Sequence, residues 1–278
     1  MSNFWQYQFK DSIEQIEVFD EAPLWSALFG EWLLEHLPMN PISNLADIGS
    51  GAGFPLLELA ARFGPDVKCY GVDTWSNANI RARIKAERYN LKNVEIIESN
   101  AARLPFADNE IELIVSNLGM NNFNDKESVF QECYRVLKTG SKLALTTNMN
   151  GHWSEFYQVF AKVLEQFELS DSLKAMREQE SKRGNVKSIS DMFKTAGFEV
   201  IKAMDKTVNM RFSNGTAFLN HPFILKGWMD SWVNLVDESK RAIVFPELEQ
   251  QLNQLAKING ELKMSVPMLY IEAKKNEQ

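Results

Sequence analysis

The stretch Leu45-Ala46-Asp47-Ile48-Gly49-Ser50-Gly51-Ala52-Gly53-Phe54-Pro55 decides how the rest of the chain is read. A short apolar strand runs into three glycines at alternate positions. Pro55 then suits the first turn of a helix reaching Phe63. A glycine-rich turn at the carboxyl end of a strand lets a ligand approach the backbone closely. The spacing separates two kinds of cofactor. A dinucleotide fingerprint, G-x-G-x-x-G, requires glycine at 54, where this chain has Phe54. The observed G-x-G-x-G suits a nucleoside ligand with no pyrophosphate over the helix N-terminus. The plain alternative is a purely structural turn.

Outward from this turn, short apolar runs alternate with amphipathic stretches. Strands are expected at 67–72, 94–97, 111–116 and 141–147, helices at 76–89 and 125–137, and a turn at 138–140. That alternation implies a parallel sheet with helices on both faces. Residues 1–40 read as helices, with Trp25, Leu28, Phe29, Trp32, Leu33 and His36 at helical spacing and Pro38 and Pro41 closing the segment. Past 150, helices are expected at 152–167, 189–196, 217–236 and 246–258. Strands at 198–204 and 266–273 suit additions to the same sheet. The fold class is α/β: a doubly wound, mostly parallel seven-stranded sheet with helical cap insertions. The expected organisation is one domain over 1–278, with a helical cover (1–40), a cofactor-binding core (41–150), and cap helices with the last two strands (151–278).

Candidate ligand residues fall at carboxyl strand ends, where open α/β sheets bind ligands. Asp47 precedes the glycines. Asp73 ends the second strand, 20 residues after Gly53, and a carboxylate there suits both ribose hydroxyls. Thr74 and Trp75 follow it. Trp75 reads either as an adenine stack or as a packing residue. Asn100-Ala101 follows the third strand and Asn117-Leu118-Gly119 the fourth.

The run Asp47-Ile-Gly-Ser-Gly-Ala-Gly53, then Gly71-Val-Asp73, then Asn100-Ala-Ala-Arg-Leu-Pro-Phe106, resembles the class I S-adenosylmethionine-dependent methyltransferases. The likeness is greatest to the branch of ubiquinone/menaquinone and malonyl-carrier-protein methyltransferases. It covers about residues 43–148 with specific motifs and extends weakly to 275. It implies a Rossmann-like methyltransferase fold with S-adenosylmethionine as cofactor. It also implies that Gly49, Gly51 and Gly53 hold the methionine moiety and ribose, Asp73 the ribose hydroxyls, and Asn100 with Ala101 the adenine. Two features depart from the pattern. Asn100 stands where the family has Asp, and Lys138-Thr139-Gly140-Ser141 has one glycine where the family turn has two.

Six of the seven tryptophans, Trp5, Trp25, Trp32, Trp153, Trp228 and Trp232, lie outside 41–150. Such an aromatic set suggests an apolar acceptor pocket; the alternative is helices packed on one another. A general base is needed only if the nucleophile must lose a proton. His152, directly after the fifth strand, is the first candidate, and Tyr157 and His221 are weaker ones. His152 reads equally as a helix-start residue packed on Trp153.

The net charge of −7 argues against a nucleic-acid partner. Metal-assisted transfer would need carboxylates where Asn117 and Asn148 stand, and no Cys/His cluster suits zinc. Cys69 and Cys133 read as buried thiols in a reducing compartment. Met1–Trp5 lacks a basic start before an apolar stretch, and no apolar run is long enough to span a membrane. The expectation is a cytoplasmic enzyme acting on a small, partly apolar or aromatic molecule, of unassigned oligomeric state. The alternative is a cofactor-binding regulatory or assembly protein without methyl transfer. A nicotinamide-dependent oxidoreductase conflicts with Phe54.

Overall fold

The computed structural model describes residues 3–21 and 24–276, with Phe19 by its backbone alone. The first two residues of the Met1–Trp5 stretch lie outside that range. Seven strands form one sheet in the order β3-β2-β1-β4-β5-β7-β6. They are β1 (Asn44–Ile48), β2 (Lys68–Asp73), β3 (Val94–Glu98), β4 (Ile111–Asn117), β5 (Leu137–Asn148), β6 (Phe198–Phe212) and β7 (Leu262–Lys275). β1 pairs in parallel with both β2 and β4, and β7 joins β5 antiparallel. The strand order therefore reverses between β1 and β4, the switch point where such sheets bind ligands.

The helices are α1 (Ile13–Glu21), α2 (Leu24–His36), α3 (Leu56–Phe63), α4 (Ser76–Arg88), α5 (Lys126–Val136), α6 (Ser154–Gln166), α7 (Ser170–Ser181), α8 (Val186–Thr195), α9 (Gly215–Leu219), α10 (Pro222–Ile224), α11 (Asp230–Val233) and α12 (Glu238–Asn259). Their chemistry is local. α3 starts after Pro55, buries Leu56, Leu57, Leu59 and Ala60 on one face, and stops at Gly64. Asp125 caps α5 by accepting from Ser128 N–H at 3.0 Å. Asn185 and Ser188 form a reciprocal capping box on α8. No helix among the described residues is long and apolar enough to cross a membrane.

Several elements differ from the sequence expectation: β6 runs on to Phe212 rather than ending at 204, and the helix expected over 217–236 is divided into α9, α10 and α11. The turn expected at 138–140 lies within β5. Leu137 pairs with Ile111 and Lys142 with Leu113, so residues 138–141 bulge opposite one β4 residue. The last long helix starts at Glu238 rather than Pro246. Pro246 sits inside it, between buried Phe245 and Leu248, and the apolar face outweighs the missing N–H. Finally, α7 falls in a stretch given no element, because Met176 is its only buried residue.

The chain forms two compact units. The larger comprises Asp11–Asn148, Asn185–Asp205 and the stretch from Met268 onward. The smaller comprises the stretch up to Lys10, Met149–Gly184 and Lys206–Pro267. In the larger unit, α1 is tied to α4 by charge. The Arg81 side chain, 8% exposed, donates to Glu17 at 3.0 Å and to Asp20 at 3.0 Å. Lys85 reaches Asp20 at 2.6 Å. Removing one partner of such a desolvated set leaves charge uncompensated, which fixes the helix pair.

Candidate active site

In the larger unit, the turn between β1 and α3 is clamped to the end of β2. Gly49 N–H and Ser50 N–H both donate to the Val72 carbonyl, at 2.8 and 3.3 Å. Gly49 has φ +79°, and a Cβ there would lie 2.9 Å from the Gly119 Cα, so the backbones meet where only glycine fits. Gly51 has φ +51° and open space where its Cβ would point. Its N–H donates to Asp73 Oδ2 at 2.8 Å, and Trp75 N–H donates to Asp73 Oδ1 at 2.9 Å. The Asp73 carboxylate is thus held by the glycine turn on one side and the start of α4 on the other. Each oxygen keeps capacity to accept from a ligand hydroxyl.

A cleft of about 330 Å³ opens beside this turn. It brings together Gly49, Asp73, Thr74, Trp75, Asn100 and Ala101 of the residues named from sequence. The Asn100 side-chain oxygen accepts from Ala102 N–H at 2.9 Å, which forms the tight turn after β3. The Trp75 indole donates to Asp11 at 2.8 Å, fixing its ring at the cleft margin. Gly119, which closes the strand-end run Asn117-Leu118-Gly119, also lines the cleft, as do Asn122, Phe123 and Asp125, which were not named as ligand residues from sequence. The available signal for these three was their place just after that run.

Besides Gly51, four named residues are placed elsewhere than on the cleft wall. Gly53 packs against Leu57 and Ala82, which a Cβ would approach to 3.1 and 3.3 Å. Asn117 uses both ends of its amide internally. It donates to the Ser26 carbonyl at 2.9 Å and accepts from the Thr146 hydroxyl at 2.7 Å, tying α2 to β4 and β5. Leu118 follows with φ +66° and is buried. Asp47 is fully buried, and neither of its carboxylate oxygens has a hydrogen-bond partner among the described residues.

Burial, then repulsion from Asp73, push the Asp47 carboxyl up to about 8, against an opposing contact from the Leu56 backbone. An acid raised this far beside a cleft is a functional-site signature. It is neutral at pH 7 in the free protein and ionises more readily when a cation comes near. S-adenosylmethionine carries positive charge on its sulfonium and its α-ammonium. The partnerless Asp47 carboxyl, the open face of Gly51 and the fixed Asp73 carboxylate all fit that cofactor.

The three base candidates lie in the smaller unit. His152 is 2% exposed, and its Nδ1 has no partner among the described residues. Its ring stands edge-on to Tyr157 at 5.9 Å. Burial, then the Arg183 charge, depress its pKa to about 3, against an opposing contact with the Met149 backbone. Such an imidazole stays neutral and is a weak base near pH 7. The buried Tyr157 hydroxyl accepts from the Trp232 indole at 3.2 Å, and burial raises its pKa. His221 is apart from these two among the described ring contacts, which put it with Phe212 and Phe223. Its Nδ1 accepts from Phe223 N–H at 3.3 Å and caps α10.

Most of the smaller unit's aromatics pack on one another. Trp153 is completely buried and meets Phe218 at 5.0 Å and Trp228 at 5.1 Å. Phe156 stacks on Trp232 at 4.0 Å. Phe4 and Trp5 close on Phe245 at 6.0 and 6.4 Å. Within this unit, Trp153, Phe156, Phe218 and Trp232 are core residues rather than an open apolar lining.

Residues 46–145 match the family described as Methyltransferase domain. An arsenite methyltransferase of Halobacterium salinarum is 34% identical over 108 residues, which is 39% of this chain and 28% of that protein. A demethylmenaquinone methyltransferase of Listeria welshimeri is 29% identical over 170 residues, which is 58% of this chain and 72% of that protein. The chain therefore spans less than a third of the first relative and less than three quarters of the second. Among solved structures, it is similar in fold to phosphoethanolamine N-methyltransferase 2 of Haemonchus contortus in complex with phosphomonomethylethanolamine and S-adenosylhomocysteine. That likeness has a TM-score of 0.57 at 18% identity and covers 100% of this chain and 61% of the other.

Proposed function

We propose that this chain, whose residues 46–145 match a methyltransferase domain, is a class I S-adenosylmethionine-dependent methyltransferase that methylates oxygen, nitrogen or carbon of a small, partly apolar or aromatic molecule. The observation that carries the reading is the Asp73 carboxylate, held at the cleft by the backbone N–H groups of Gly51 and Trp75. The net charge of −7 favours a small-molecule acceptor over nucleic acid, and the reading includes a cytoplasmic setting.

Bound S-adenosylmethionine supplies an electrophilic methyl group on a sulfonium. The chain's own residues bind and orient. Asp73 accepts from the ribose hydroxyls, and Asn100 offers an amide oxygen to the adenine amino group. Asp47 contributes a buried carboxylate once a positive charge lies near it. Alignment of the reacting atoms and exclusion of water supply ~7–11 kcal/mol in well-oriented systems.

The second reading is an S-adenosylmethionine-binding regulatory or assembly protein. The burial of Trp25, Phe29 and Trp153, each within its own unit, supports it because it removes aromatics expected to line an acceptor pocket. Incubation with S-adenosylmethionine and a pool of small phenols, amines and acids, followed by assay of S-adenosylhomocysteine, separates the two. Acceptor-dependent product formation supports transfer. Tight cofactor binding with no product from any pool supports the second reading.

A further inference from the structure

Asp11 is exposed and stands just ahead of α1, yet it holds two side chains at the start of α4. Its Oδ1 accepts from the Trp75 indole N–H at 2.8 Å and from Asn77 Nδ2 at 3.0 Å. Its backbone carbonyl accepts from the same Asn77 amide at 3.2 Å. All three residues belong to the larger unit. An acid beside a helix N-terminus is ordinarily explained as a cap or as a partner of the helix dipole. α4 has no acid in its first turn, and Trp75 at its N-cap gives no side-chain cap. A cap accepts from backbone N–H groups, whereas the Asp11 carboxylate accepts from two side chains. One of those two, Trp75, lines the cleft beside Asp73.

α1 carries Asp11 in a fixed register along α4. Arg81 donates to Glu17 and to Asp20, both at 3.0 Å, and Lys85 donates to Asp20 at 2.6 Å. Asp11, Glu17 and Asp20 thus meet Trp75, Arg81 and Lys85 in the same order, so α1 lies along α4 as a strap fastened at both ends. Ile16, between the fasteners, is fully buried. At the cleft the strap bears on the acid expected to hold a ribose. The Trp75 backbone N–H donates to Asp73 Oδ1 at 2.9 Å, so the residue whose indole is held by Asp11 also holds the Asp73 carboxylate. Asn79, one turn further on, donates to the Asp73 carbonyl at 3.0 Å. An indole not held in this way has several rotamers to choose from, and ordering it when a ligand arrives costs affinity. A ring already held is preorganised.

We propose that Asp11 is a positioning residue for the cofactor: through the Trp75 indole it presets the wall of the cleft beside Asp73, and α1 is the strap that keeps it there. Asp11 acts through Trp75 and is not a catalytic residue. By linkage, bound cofactor favours the strapped arrangement by the same factor as the strap favours the cofactor. This inference rests on the reading of the cleft as the S-adenosylmethionine site.

The test is calorimetric titration of the full chain with S-adenosylhomocysteine, run as a double-mutant cycle, with thermal unfolding of each variant alongside. The natural chain is titrated first. Asp11→Ala should weaken binding about fivefold (about 1 kcal/mol). Asp11→Asn, which keeps an oxygen for the indole, should stay within about twofold of the natural affinity. Trp75→Phe keeps a ring without the N–H and should show a loss like that of Asp11→Ala. In the Trp75→Phe background, Asp11→Ala should then change affinity by less than about twofold, because the donor through which it acts is gone. An equal loss from Asp11→Ala in both backgrounds overturns the proposal, since the effect would then run through Asn77 or the packing of α1. Natural affinity in a folded Asp11→Ala overturns it too, and a lowered melting temperature with that affinity marks a merely structural contact. Failure of S-adenosylhomocysteine to bind the natural chain overturns the cofactor reading itself, before any variant is compared.

Discussion

The Gly51 N–H donates to Asp73 Oδ2 at 2.8 Å, joining the turn after β1 to the acid that ends β2. One hydrogen bond thus ties together two motifs 22 residues apart. It also sets the orientation in which the carboxylate meets a ribose. Asp73→Ala removes both the acceptor and the anchor of Gly51. Cofactor affinity should fall by more than tenfold, about 1.4 kcal/mol. Calorimetric titration with S-adenosylhomocysteine checks this, and unchanged affinity would remove Asp73 from the ribose role.

Gly51→Ala separates the ligand's need for space from the fold's need for glycine. No protein atom lies within 4 Å of the added Cβ, but φ is +51°. A non-glycine residue there costs ~1–2 kcal/mol. Thermal unfolding should show that modest loss. Cofactor binding should fall much further, because the methyl group projects into the space that a ligand would fill.

Asp47 gives a pH dependence with a definite sign. Its carboxyl titrates near 8 in the fold, against ~3.9 in the unfolded chain. Between roughly pH 4 and 8 the folded state therefore binds more protons than the unfolded one, and stability falls as pH rises. Asp47→Asn removes that slope. Urea midpoints of the cofactor-free protein across this window should decline with pH for the natural chain and decline less for the variant. The same variant should bind S-adenosylmethionine more weakly, since the carboxylate that answers its positive charge is gone.

Trp153→Ala tests whether the aromatic set of the smaller unit is core. Trp153 is 0% exposed and touches Phe218, Phe223, Trp228 and Trp232. A buried tryptophan replaced by alanine loses ~3–5 kcal/mol. Urea denaturation should show a loss of that size. A loss under ~1 kcal/mol would mean that the ring faces open space rather than packing.

The parts that were legible in the sequence share a property: their chemistry is local. Three glycines after an apolar run, an acid closing the next strand, and alternating short strands and helices specify the sheet and the cofactor turn without knowledge of distant contacts. The rest depends on partners far along the chain. Asn117 falls at a strand end like the cofactor residues, yet its amide is occupied by Ser26, 91 residues away. His152 has the right position for a base, but only the fold reveals the burial and the Arg183 charge that leave it neutral. Helix α7 buries only Met176, so periodicity gave it no signal.

The central claim is that the turn from Asp47 to Gly53, with Asp73, binds S-adenosylmethionine for methyl transfer. Isothermal titration of the natural chain with S-adenosylmethionine and S-adenosylhomocysteine tests it most directly. The account predicts one site for each, weakened more than tenfold in Asp73→Ala. An absence of binding heat for both ligands, in a folded sample, would contradict it.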